Sequence, residues 1–273
     1  MSARPNSRSR IRLLAGGLLA SAVLTMSVLA IFWTPLDPNR LDVLHRLNAP
    51  DVRNLFGTDE FGRDVLSRVM VGATTSLSVA MLTVIVAIAV GSTIGFLTGF
   101  FRGWTDRVVM ILNDTLLAFP GILLALGLVA VTGPHAYATV LALAVAFTPK
   151  VMRVVRGTVL SLREREYIEA SRAMGNGPLY TLARHIVPNA VAPIAVLATS
   201  MFGWAILMES ALSFLGLGVP PPAATWGNML ATARPYLTSA PWLSVIPGIL
   251  IATTLLSVNL LGDSLRDWLD PRM

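Results

Sequence analysis

VMVGATTSLSVAMLTVIVAIAVGSTIGFLTGFF, residues Val69–Phe101, runs for 33 residues without a charged side chain. The hydrocarbon core of a bilayer is about 30 Å thick and takes about 20 helical residues at about 1.5 Å each. The stretch is too long for one perpendicular span, so its first part is expected at the interface or in a tilted helix. Within and just past it, Gly91, Gly95, Gly99 and Gly103 recur every fourth residue. Glycines at that spacing share a helix face and let a neighbouring backbone approach closely. We read this stripe as packing in a bundle and assign it no chemistry.

The rest of the 273-residue chain extends the pattern. It is 54% hydrophobic and only 13% charged, about half the supply of a soluble domain. That is too little charge to coat a globule of this size, so much of the surface must face lipid or another apolar chain. Further apolar runs lie at Leu13–Trp33, Val108–Val131, Tyr137–Val155, Ile186–Met208 and Trp242–Leu261. The turn Thr132-Gly133-Pro134 separates the third span from the fourth. The expected fold is an all-α membrane protein with six transmembrane helices. Its divisions are a 1–12 N-terminal segment, the 13–33 helix, a 34–68 outside loop, a 69–262 five-helix core containing a loop at 158–188, and a 263–273 tail.

Arginines at 4, 8, 10 and 12 precede the first run, and Ala20-Ser21-Ala22 imitates a signal-peptidase site. The apolar stretch nevertheless continues for 21 residues, which predicts an uncleaved anchor. With the N-terminus inside, 15 of the 21 Lys and Arg residues fall on cytoplasmic segments. Five of the other six lie in the outside loop beside six acidic residues. This bias predicts that both termini are cytoplasmic. It also accounts for the net charge of +6, because the arginines flank apolar runs and form no aromatic-interleaved nucleic-acid patch.

Several chemistries are excluded. There are no cysteines, hence no disulfide, iron–sulfur cluster or thiolate zinc site. The only lysine, Lys150, follows Phe147-Thr148-Pro149 without a glycine loop, so the chain has no P-loop. His45, His135 and His185 form no HExxH pair, and no GxSxG elbow is present. Catalysis by this chain alone is not expected.

Asp114, about two turns into the third span, would cost roughly 2.5–3.5 kcal/mol if it faced lipid at mid-bilayer. Two readings stay open: it lines a translocation path, or it hydrogen-bonds a neighbouring helix. Glu209 is placed at the outer end of the fifth span, as an outer-gate candidate, because Gly- and Pro-rich sequence follows it. Ala211–Pro241, apolar but broken by Gly216, Gly218 and Pro220-Pro221-Pro222, suits a re-entrant or interfacial element. Asp59, Arg63, Asp64 and Arg68 stand at helical spacings and could pair with one another or equally meet a partner protein; local pairing is the safer reading.

The segment REREYIEASRAMGNGPLYTLARHIVPNA, Arg163–Ala190, reads as a short helix ended by Gly175-Asn176-Gly177-Pro178, then a second, Leu179–Val187, running into Pro188. Its small residues suit a partner's groove, although an ordinary interfacial linker fits equally well. Glu169-Ala170-Ser171, followed by Gly175 and by Ile186-Val187-Pro188, resembles the EAA motif of ABC importer permeases. Ser171 stands where that pattern has its second alanine, and Val187 where it has leucine. Leu55–Leu77 (LFGTDEFGRDVLSRVMVGATTSL), Gly99–Leu126 (GFFRGWTDRVVMILNDTLLAFPGILLAL), Glu209–Leu230 (ESALSFLGLGVPPPAATWGNML) and Asn259–Arg272 (NLLGDSLRDWLDPR) are similar to one branch, the C-subunit type of the dipeptide/oligopeptide/nickel permeases.

The resemblance implies an importer of di- and oligopeptides in the bacterial cytoplasmic membrane, or of nickel, glutathione or another small solute. It implies that Glu169, Ala170, Ser171 and Gly175 dock on an ATP-hydrolysing subunit. It further implies a second permease as heterodimer partner, two ATP-binding subunits or one fused ATPase, and an extracytoplasmic substrate-binding protein. ATP and Mg would be bound by those partners, leaving no cofactor in this chain. The reading from a different class is a stand-alone transporter using Asp114 as an ion site.

Overall fold

The computed structural model describes residues 7–269. Arg4 and Arg272, counted above in the charge bias, lie outside the described residues, as do 1–6 and 270–273 of the terminal segments. The helices are α1 (Ser7–Phe32), α2 (Val65–Phe101), α3 (Gly103–Ala118), α4 (Gly121–Thr132), α5 (Ala136–Leu162), α6 (Glu166–Ala173), α7 (Pro178–Thr181), α8 (Val187–Phe214), α9 (Trp226–Ala233) and α10 (Trp242–Leu269). Among the described residues there is no strand, only an isolated bridge between Thr58 and Asp64. Five rods are long and apolar enough to cross a membrane: Ile11–Phe32, Val65–Phe101, Ala136–Leu162, Pro178–Phe214 and Trp242–Leu269.

The glycine stripe determines how the centre is built. A Cβ on Gly91, Gly95 or Gly99 would approach Val151, Val155 or Val159 to 2.6, 2.9 and 2.9 Å. α2 and α5 therefore touch at backbone distance, and because both series advance together the two helices run parallel. Parallel neighbours need a return crossing between them, and α3 with α4 supplies it. Gly103 is not part of the stripe; it opens α3 with φ +86°, and a Cβ there would meet nothing within 4 Å.

The third span differs from the single helix expected over Val108–Val131. α3 and α4 meet at a 92° bend. Pro120 lacks an N–H and drives the residue before it out of the helical region; Phe119 accordingly sits at φ −86°, ψ 139°. The sixth crossing is a broken one.

Other boundaries move as well: α5 runs on to Leu162 and α10 to Leu269. α2 starts at Val65 rather than Val69, because the Asp64 carboxylate accepts from Ser67 N at 2.8 Å and caps the helix. The second short helix does not stop at Pro188. A π turn over Leu182–Ile186 joins α7 to α8, a wider winding by which a helix passes a residue that cannot donate to the preceding turn. Pro178–Phe214 is one rod of 37 residues, about 55 Å long.

At the end where α2 begins, two loop regions form a cap. Val65, Val69, Met229, Ala233, Ala240 and Leu243 bury together, with Leu47 and Phe56 packed against them. Trp242 Nε1 donates to Thr58 O at 3.3 Å, tying the 33–64 loop to the head of α10. α1 lies outermost, against α10 at Gly16 and Leu260, and against α2 where Thr74 Oγ1 donates to Ser27 O at 2.6 Å.

Candidate functional site

The far end of the bundle carries α6 and the turn after it. Arg163 Nη1 donates to Phe100 O at 3.0 Å, fastening the end of α5 to the last carbonyls of α2. α6 then crosses that end with one edge inward. Ile168 is fully buried in the main core beside Phe100, Val159, Leu182 and Ile186. Ser171 is buried too; its hydroxyl pairs with Thr181 Oγ1 and accepts from Asn176 Nδ2, both at 3.2 Å. Gly175 N donates to Arg172 O at 2.9 Å and Asn176 N to Ser171 O at 3.2 Å. These two bonds form a Schellman cap, which requires the left-handed backbone glycine tolerates; Gly175 has φ +81°.

The other faces of α6 are open. Glu166, Tyr167, Glu169, Ala170, Arg172 and Ala173 are exposed, with Met174 at 73% and Leu179 at 66% exposure beside them. The four motif residues are therefore split by geometry. Glu169 and Ala170 point outward, Gly175 shapes the turn, and Ser171 holds α6 to α7. A surface mixing carboxylates, an arginine and large apolar side chains is suited to a protein contact.

Asp114 lies on α3, short of the bend, and forms an ion pair with Arg153 of α5. Both side chains are more than half exposed. Sequence reading missed a tighter pair one step away: Arg156 Nε and Nη2 reach Asp106 Oδ1 and Oδ2 at 2.7 and 2.8 Å, a bidentate contact. Asp106 precedes Asp114 by eight residues while Arg156 follows Arg153, so the pairs lace α3 antiparallel to α5. The available signal was the seven-residue spacing of the polar Asp106 and Asn113, which puts them on one helix face; both are buried on α3.

Glu209 lies five residues from the end of α8. It is fully buried at the level of Ser76, about 16 Å along α2 from Val65. Ser213 Oγ, one turn on in the same helix, donates to its Oε1 at 2.7 Å, while its Oε2 is buried without a hydrogen-bond partner among the described residues. Ala211–Pro241 holds the last turn of α8, a turn-rich stretch and α9, whose N-cap Thr225 and first residue Trp226 are fully buried.

The charges at the end of the 33–64 loop and the head of α2 pair locally. Asp59 accepts from Arg63 Nε at 2.6 Å and stands 3.5 Å from Arg68 Nε, while Asp64 caps α2 and accepts from Asn54 Nδ2 at 2.9 Å. Burial pushes the Glu60 carboxyl above its ordinary pKa.

Comparison with known proteins agrees with this architecture. Residues 91–273 match the family described as binding-protein-dependent transport system inner membrane component. The chain is 40% identical over 260 residues to the dipeptide transport system permease protein DppC of Alkalihalophilus pseudofirmus, covering 95% of this chain and 86% of that one. It is 42% identical over 255 residues to the glutathione transport system permease protein GsiD of Escherichia coli O6:K15:H31, covering 92% and 84%. A solved structure of the MetNI methionine ABC transporter, in an inward-facing conformation, superposes with TM-score 0.63 at 18% identity, over 73% of this chain and 94% of that one. At that identity it speaks for the fold, and it has the same helical permease architecture. By the family match and these relatives, the chain belongs to the binding-protein-dependent transport system inner membrane components.

Proposed function

We propose that this permease carries short peptides into the bacterial cell as one subunit of an ATP-driven importer. The observation that carries the reading is the outward face of α6 at the Gly175 turn, fixed from beneath by Ile168 and Ser171 and open to a partner. The partner is an ATP-hydrolysing subunit, which holds ATP and Mg, and Glu169, Ala170 and Gly175 form the contact. Support for the substrate comes from relatives named for dipeptide and for glutathione transport; glutathione is itself a small peptide. A substrate-binding protein delivers the peptide at the cap. A second permease homologue lies along α3, whose Trp104, Ile111 and Leu112 are exposed. A stand-alone ion-coupled transporter is less well supported, since Asp114 is matched by Arg153 and is not free to hold an ion.

Two experiments test this. Deleting the subunit, with redundant peptide importers removed, should abolish growth of an amino-acid auxotroph on short peptides as sole source. Undiminished growth together with loss of a nickel-dependent enzyme activity would overturn the substrate. For orientation, the cysteine-free chain allows single-cysteine labelling in intact cells. Asn48→Cys should react with an impermeant reagent and Arg165→Cys should not; the reverse would invert the topology.

A further inference from the structure

Lys150, the only lysine in the chain, belongs neither to the α6 surface nor to the α3 seam. It stands about 18 Å from Leu162 and about 21 Å from Ala136, the two ends of α5. In a helix that crosses the membrane this is a central position, well beyond what its four-carbon stem covers by snorkelling to either end. A charge at such depth is expensive against lipid and faces a partner group or a water-filled cavity. Among the described residues Lys150 makes no ion pair.

Its place on α5 shows what it faces. Val151, Val155 and Val159 lie against α2, whereas Ala146, Lys150, Arg153 and Gly157 share the opposite face. α4 covers that face at Ala146, where a Cβ on Gly121 would stand 3.8 Å from the Ala146 Cβ. α3 takes it up again at Arg153, whose guanidinium is held by Asp114. Between these two contacts α3 and α4 part at their 92° bend, and Lys150 is left exposed beside it. Pro149 makes the spot more polar still, since it has no N–H to give to the Val145 carbonyl one turn back. With Arg153 matched by Asp114, Lys150 is the unmatched cation at this level.

We infer that Lys150 lines the solute path and pairs with the C-terminal carboxylate of the peptide as it passes. An ammonium on a flexible stem acts as a point charge and demands no single geometry of its anion, unlike the planar fork of an arginine. That suits a solute that must leave again. The inference rests on the importer reading above.

The test uses the complete complex in proteoliposomes, with binding protein loaded with Ala-Ala-Ala or with its C-terminal amide. Lys150→Gln should lower uptake of the acid at least about tenfold, as for loss of a hydrogen bond to a charged group, and uptake of the amide far less. Lys150→Arg should retain most of the acid's uptake. Lys150→Cys should behave as Lys150→Gln until it is treated with a thiosulfonate that attaches an ethylammonium group. That treatment should restore uptake of the acid, and a neutral thiosulfonate of the same size should not. Wild-type uptake of the acid by Lys150→Gln, or equal losses for acid and amide, would overturn the inference. So would a Lys150→Cys thiol that neither reagent reaches, since the lysine would then be covered by the second permease or by lipid. Failure of the wild-type complex to take up either peptide would instead overturn the importer reading.

Discussion

The charge cluster at the head of α2 and the α6 turn both lie between long apolar helices, yet they use their charges in opposite ways. In the cap, Asp59, Arg63, Arg68 and Asp64 are all buried and bonded to one another or to the head of α2. At α6, Glu166, Glu169 and Arg172 stand exposed, and only Ile168 and Ser171 turn inward. A charge that is buried must be matched inside the chain, whereas a solvated charge is available to a second protein. The cluster at the head of α2 is thus a self-contained structural knot, whereas α6, like Asp37, Arg40, Arg46, Asp51 and Arg53 of the 33–64 loop, leaves its charges exposed, as the proposed docking on a partner requires.

The sharpest break in that contrast is Asp59→Asn. It leaves Arg63 and Arg68, each no more than about a tenth exposed, without their shared carboxylate, with Glu60 still 3.4 Å from Arg63 Nη2. A fully stranded buried charge costs about 3–5 kcal/mol, and the loss here is a part of that. Thermal unfolding of the purified complex should drop markedly, with protease cleavage appearing within 33–64. Unchanged stability would mean that the cap is not held by this knot.

Gly175→Val should do the reverse, harming coupling more than stability. Left-handed backbone costs an ordinary L-residue about 1–2 kcal/mol, and more when it is β-branched. No neighbour lies within 4 Å of a Cβ at this position, so the strain is met by a shift of the turn and not by a core clash. The chain should insert at normal levels, with peptide uptake and substrate-stimulated ATPase activity down about tenfold or more, the effect of about 1.4 kcal/mol. Full transport by a well-expressed variant would remove the turn from the docking surface.

How much of this was legible in the sequence follows from the range of each signal. Apolar length and glycine spacing are local, and they led to the long helices and to the α2 face on which Val151, Val155 and Val159 rest. The Gly175 cap is likewise a local grammar. The bend at Phe119-Pro120 was signalled by the proline, but the surrounding apolar run outweighed it. Pro188 erred the other way, because the π turn that accommodates it leaves no mark in composition. The burial of Glu209 could not be read, since it depends on the packing of α8 against α2, far earlier in the chain, and against α9, which folds back from the segment after α8.

The α3 seam is intermediate between the two regions, and its two pairs should separate. Asp106→Asn breaks a bidentate pair whose carboxylate side chain is 11% exposed and should cost about 1.5–3 kcal/mol, as for a hydrogen bond to a charged group. Asp114→Asn breaks a pair more than half exposed and should lower uptake by a smaller factor. Equal uptake rates for Asp114→Asn and wild type would take Asp114 off the translocation path. A larger loss for Asp114→Asn than for Asp106→Asn would show that its role exceeds the ion pair.

Ser171→Ala should have the smallest effect, and it probes the boundary between the two kinds of region inside α6 itself. Ser171 belongs to the motif by sequence but to the interior by geometry. Its hydroxyl serves only Thr181 Oγ1 and Asn176 Nδ2, at the long distance of 3.2 Å. Alanine is a better helix former than serine by a few tenths of a kcal/mol, which offsets part of the roughly 1 kcal/mol that a neutral hydrogen bond contributes. Asn176 keeps its backbone bond to Ser171 O, so the Gly175 turn survives the change. Uptake by Ser171→Ala should stay within about twofold of wild type, the effect of about 0.4 kcal/mol. Ser171→Leu has no room at a position 1% exposed and should lift α6 from α7, lowering uptake like Gly175→Val. If Ser171→Ala instead abolished stimulated ATPase activity without changing stability, the serine hydroxyl would have to turn outward to the partner during the cycle, and α6 would not be the rigid face described above.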